Sequence, residues 1–266
     1  MKNIFSSAFG AYRKYRTFAK KNKTYKAVNY SFIGVATAYC LLLIFPQILF
    51  AHEISYKNFK VYSREPLSEN INRVLDSAEV RLIKSPMYNQ NLPENIVLAD
   101  SFGLYKFLTL KGSSLGSTIP VIGHSRINKS DVDNDLVFRN SEPPNSRSLS
   151  GVIAHETMHN QIREYLGLVK YLKIPKWKDE GYCEYIAGET TFSFEEGVKL
   201  WKENQHDDSK YSYFKYHQMV KYLLDDEKIS VEELFNKSFD EKKIAAKVFI
   251  NLEKVNAKGN SDISNN

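Results

Sequence analysis

The apolar positions of this chain fall into three regimes. From Ala27 to Ala51 no side chain is charged: AVNYSFIGVATAYCLLLIFPQILFA. As one helix, at about 1.5 Å per residue, the run spans about 37 Å, enough to cross a hydrocarbon core of about 30 Å. Residues 52–66 read as an extended polar connector with aromatic punctuation, ending at Pro66. In LSENINRVLDSAEVRLIKS (67–85) the apolar residues Leu67, Ile71, Val74, Leu75, Ala78, Leu82 and Ile83 keep helical spacing. Ser68 is the expected N-cap of that helix and Pro86 its stop.

Between Leu92 and Arg139 the texture becomes β-rich. IVLA (96–99), LYKFLTL (104–110), TIPVIG (118–123) and DLVF (135–138) predict strands separated by Gly, Ser, Asn and Asp. EPPNS (142–146) is a rigid break. From Ser148 on the pattern is helical: Leu149, Val152, Ile153, Met158, Ile162 and Leu166 line one helix, with Gly167 as its C-cap. Further helices are expected at 177–188, 194–204, 210–225, 230–237 and 240–257. The order of helix, small sheet and helical half predicts one α+β domain over 67–257, with 258–266 a disordered tail.

Charge changes the picture at the N-terminus. Residues 1–26 hold eight Lys or Arg and no acid, whereas the rest carries 29 basic and 31 acidic residues. The overall charge of +6 is therefore a property of the tail, and nucleic acid is not an expected partner. A basic flank before an apolar span predicts a single-pass anchor over 27–51, with the tail in the cytoplasm and the remainder across the membrane. A cleaved signal peptide is the rival reading. It is disfavoured by the length of the run and by Leu49-Phe50-Ala51, which lacks the usual small residue two before a cleavage site. The two cysteines, Cys40 and Cys183, are not expected to form a disulfide or a Cys–Cys metal site.

Candidate chemistry concentrates in HETMH (155–159) within the helix that follows Ser148. Residues four apart share a helix face, so His155 and His159 can offer two imidazole nitrogens to one ion. Glu156, about 100° round the helix, comes close without binding. That arrangement suits a base that takes a proton from a water activated by the ion. A third ligand is available in WKDEGYCEYIAGE (177–189).

HETMH followed by Glu180 within W-x-x-E-G-Y resembles the gluzincin branch of the zinc metallopeptidases, over about 35 residues from His155 to Glu189. The resemblance implies a zincin-like domain that binds Zn²⁺ through His155, His159 and Glu180, with Glu156 as general base. It also implies a peptide or protein substrate. Asp179 stands where the branch commonly has Asn. Glu184, one turn after Glu180, matches an acidic position that accepts a hydrogen bond from a ligand histidine. Gluzincins take an oxyanion donor from a Tyr or His downstream. Tyr211, Tyr213, Tyr216 and His217 compete for that role, with Tyr213 and Tyr216 preferred. Zincins often hold an extended peptide against an edge strand, for which DLVFRN (135–140) is the first choice and TIPVIG the second. Cys183 and the lone histidines His52, His124, His206 and His217 are left outside the site. The alternative to a peptidase is a zincin-fold binding or scaffold protein of the cell envelope that keeps zinc without efficient hydrolysis. Glu156 argues against it, because a structural site has no use for that base.

Overall fold

The computed structural model describes residues 23–119, 121–140, 145–203 and 211–263; for Asn145 and 253–263 it gives the backbone alone. Most of the basic tail, Pro120 of TIPVIG, Glu142–Pro144 of the expected rigid break, Asn204 and Lys210 of two expected helices, His206, and 264–266 of the expected tail lie outside the described residues. Two compact units separate, Met1–Leu49 and Phe50–Asn266.

In the first unit, α1 (Lys23–Ile44) has no buried residue and is long and apolar enough to cross a membrane. It is shorter than the uncharged run. Pro46 has no N–H to donate and disfavours helical backbone at the residue before it, so the helix stops at Ile44 and a 3₁₀ turn, Pro46–Leu49, follows.

The second unit is α+β. Its main sheet has five strands. The expected connector is in fact its first hairpin, β1 (His52–Tyr56) and β2 (Phe59–Ser63), paired antiparallel with Tyr56 opposite Phe59. Lys57 takes the left-handed conformation (φ 54°) that so tight a turn needs. Phe59, Val61 and Ser63 point inward; the exposed outer strand supplies the polar residues that masked the pattern.

β3 (Glu94–Leu98) pairs parallel with both β2 and β5 (His124–Ile127), and β4 (Gly116–Ile119) closes the sheet antiparallel to β5. α2 (Asn70–Leu82) buries Ile71, Val74, Leu75, Ala78 and Leu82, in the expected spacing. Its N-cap is Glu69, without a side-chain bond, because Ser68 Oγ bonds Asp133 instead. Residues 104–110, expected as a strand, belong to α3 (Phe102–Thr109). Ser101 caps it by accepting from Leu104 N at 3.3 Å, Tyr105 and Leu108 bury at helical spacing, and Leu110 ends it with φ 57°.

A three-stranded sheet, β6 (Ser130–Asp131), β7 (Leu136–Arg139) and β8 (Asn145–Ser148), leads into α4 (Leu149–Leu166). Ser148 Oγ accepts from Gly151 N at 3.0 Å and starts α4; Gly167, at φ 76°, ends it. Every residue from Leu149 to Ile162 is buried, so α4 is enclosed on all sides.

The remaining helices are α5 (Leu168–Tyr171), α6 (Lys176–Ala187), α7 (Phe194–Glu203), α8 (Ser212–Lys221), α9 (Val231–Asn236) and α10 (Glu241–Ile263). A π turn, Tyr222–Asp226, continues α8. The expected disordered tail is helical to Ile263, as an extension of α10.

Candidate metal centre

His155, Glu156 and His159 come from the buried middle of α4, and Glu180 from the second turn of α6. The helices must lie close for these to meet, and Gly181 sets the spacing on the far side of α6. A Cβ there would sit 2.5 Å from the backbone oxygen of Tyr216 on α8, so α6 is pressed between α4 and α8.

His155 Nε2 lies 3.4 Å and His159 Nε2 3.6 Å from the same oxygen, Glu180 Oε2. One donor atom from each of the three residues lies within 4.8 Å of the others. The opposite ring nitrogens face other carboxylates: His155 Nδ1 is 3.2 Å from Glu184 Oε1, and His159 Nδ1 is 3.1 Å from Asp179 Oδ1. His159 Nδ1 bonds Asp179 and His155 Nδ1 faces Glu184 without a hydrogen bond, while both Nε2 atoms approach the same oxygen, Glu180 Oε2. Two imidazole nitrogens and one carboxylate oxygen around an open side form a donor set that fits zinc.

The electrostatics follow from this crowding. Burial works against a charged His155, but Glu184 and Glu180 outweigh it and raise its pKa to about 9. Burial likewise opposes a charged His159, yet Asp179 and Cys183 push it well above the usual range. Burial also opposes the charge on Glu184, which Arg147 and His155 nevertheless hold down to about 2. Glu180 is held far below an ordinary carboxylate by the two histidines, against burial. Burial pushes the Cys183 thiol up. Its Sγ lies 3.4 Å from His159 Nδ1 and, with Asp179, makes a second group able to hold a metal. That group shares His159 but uses its other nitrogen, and Cys183 is fully buried behind the cleft.

These residues line a cleft of about 420 Å³. Glu156 rests against β4: a Cβ at Gly116 would come within 2.5 Å of Glu156 Oε1, so only glycine leaves the carboxylate its place. Thr118 Oγ1 donates to Glu156 O at 2.9 Å and ties β4 to α4. No family model and no curated protein matches this chain.

Of the two preferred tyrosines, Tyr213 is brought to the centre, with Oη 3.3 Å from Glu180 Oε1 and its ring 6.3 Å from that of His155. Tyr216 packs against the core through α8 and does not line the cleft. His217 is 6.5 Å, ring to ring, from Tyr185, also outside the lining. DLVFRN is not the edge beside α4, since β7 is the middle strand of its sheet. The cleft edge is β4, which takes Thr118 and Ile119 from the second-choice segment.

Four positions of the candidate site had no sequence signal that singled them out. Arg147 donates to Glu184 Oε1 at 2.8 Å and to Glu189 O at 2.8 Å. Tyr171 Oη donates to Asp179 Oδ2 at 3.0 Å, which orients the carboxylate that orients His159. Gly116 and Arg139 line the cleft. Asp179 carried a partial signal, its place beside Glu180.

Proposed function

We propose that this chain is a zinc-dependent metallopeptidase with a zincin-like, gluzincin-type domain, held to a membrane by α1 and facing away from the cytoplasm. The observation that carries the reading is the convergence of His155 Nε2, His159 Nε2 and Glu180 Oε2 beside Glu156, on the floor of a cleft walled by an edge strand. A scaffold role needs the three ligands and has no use for the base or the edge.

Bound at those three atoms, zinc would supply a Lewis acid for the scissile carbonyl and a water that loses its proton near neutral pH. Glu156 would accept that proton and pass it to the nitrogen of the leaving amine. Tyr213 keeps its hydroxyl proton through the neutral range, because burial and Glu180 push its pKa up. Its Oη is placed to donate to the oxyanion as the carbonyl becomes tetrahedral. β4 offers the free N–H and C=O groups of its outer edge to an extended peptide, which fixes the scissile bond over Glu156. Lys23 and Lys26 flank the start of α1, and basic flanks stay on the cytoplasmic side.

The test is metal content and hydrolysis of an unbiased peptide library by the full-length protein in detergent, with and without a chelator. One zinc per chain and chelator-sensitive cleavage are expected. Glu156→Gln should keep the zinc and lose turnover by about 10²- to 10⁴-fold. Zinc without any cleavage would favour the scaffold alternative, and absence of zinc would overturn both.

A further inference from the structure

Two arginines face the cleft in unlike surroundings. Arg147 is enclosed and ion-paired, with Glu184 at 2.8 Å and the carbonyl of Glu189 at 2.8 Å, although its Nε makes no hydrogen bond. Arg139 ends β7, half-buried, and among the described residues no carboxylate pairs with it. Its Nη2 lies 3.5 Å from Thr191 Oγ1, and its buried Nε has no hydrogen-bond partner. Lys111, also on the lining, is exposed and bonds Ser117 Oγ at 3.2 Å, so water serves its charge.

The strand register puts the two guanidinium groups on one face. Val137 pairs with Arg147, and Arg139 follows Val137 by two residues. Like charges placed diagonally on one face of a ladder oppose folding, and a half-buried guanidinium cannot shed its charge. An anion arriving in the cleft relieves both costs. Because Glu184 touches both Arg147 and His155, this end of the cleft lies on the His155 flank. Asp179 and Tyr171 mark the His159 flank.

Resting on the reading of this cleft as a peptide site, we propose that Arg139 is the subsite for a carboxylate on the bound peptide, held by a two-pronged guanidinium pair on the His155 flank. The substrate class is then peptides that present an acidic group at that end, either a free C-terminus or an Asp or Glu side chain. A neutral peptide would bury Arg139 and leave it unpaired, so selectivity comes from that cost as well as from the pair itself.

The experiment measures fluorescence-anisotropy binding to full-length Glu156→Gln protein, so that no peptide is consumed. One neutral sequence is offered with a free C-terminus, amidated, and amidated with an internal Asp or Glu. A carboxylate-bearing form should bind about 10- to 100-fold tighter than the neutral amide, and whichever form wins identifies the source of the carboxylate. Arg139→Gln should erase that preference and Arg139→Lys restore part of it, with thermal melting confirming that each variant is folded. Equal affinity for acidic and neutral peptides, a preference that survives Arg139→Gln, or no binding by any form would overturn the proposal. Binding is read without turnover, so a failure of the peptidase reading shows separately, in the wild-type cleavage and zinc measurements.

Discussion

Asp179 and Glu184 divide the two imidazoles between them, one carboxylate on each Nδ1. A carboxylate at that nitrogen sets the ring's orientation and strengthens the donor at the other. Asp179→Ala should therefore lower zinc affinity by about 10- to 100-fold, read by competition with a fluorescent chelator, while saturating zinc restores cleavage. Glu184 has a second duty as the buried partner of Arg147. Removing one member of such a pair costs about 3–5 kcal/mol, so Glu184→Ala should depress the melting temperature far more than Asp179→Ala. The candidate set His155, His159 and Glu180 is legible in the sequence because two lie one helical turn apart and the resemblance to gluzincins implies the third. Arg147, Arg139 and Gly116 were not, because each reaches the site from a strand whose place in space depends on sheet order.

At the scale of elements, α4 is held to the sheet by a buried polar contact just after His159. Glu94 on β3 accepts from Asn160 Nδ2 at 2.9 Å and from Gln161 Nε2 at 2.8 Å. Burial dominates these bonds and raises its pKa to about 7. The folded state then holds a proton that the unfolded chain releases at an ordinary carboxylate pKa of about 4.3. Stability from this group is thus fully present below that range and is lost as pH rises towards 7. Glu94→Gln should flatten the stability–pH curve in that window and raise stability at pH 8, measured by denaturant titration. Asn160 Oδ1 has no partner, so a flip of that amide gives the new side chain an acceptor.

The contact between α6 and α8 predicts a steric result. Gly181→Ala would drive a methyl into the carbonyl of Tyr216, costing about 1–3 kcal/mol and displacing Glu180, so zinc affinity and melting temperature should fall together. Most helices were legible from period and caps, but three segments were not. The first hairpin is polar on its outer strand, α3 has too few residues to separate helix from strand by pattern, and the end of α10 continues through a polar composition that suits a tail equally well.

At the scale of the molecule, the chain divides at Leu49 into an apolar helix and an α+β unit with its own core. The full-length protein should resist extraction from membranes by alkaline carbonate and require detergent. Residues 50–266 expressed alone should be soluble, with the same zinc content and the same melting temperature. A truncated protein that aggregates would show that the boundary is drawn wrongly.

Pro46 carries a consequence for where such an anchor can reside. It leaves 18 uncharged residues in α1, from Ala27 to Ile44. At about 1.5 Å each they reach about 27 Å, a few ångströms less than an average hydrocarbon thickness. An anchor of that reach stands nearly upright in thin lipid, whereas in thick lipid it must pinch the bilayer around itself. Reconstitution into a series of acyl-chain lengths would show this as preferential partitioning into the shorter ones.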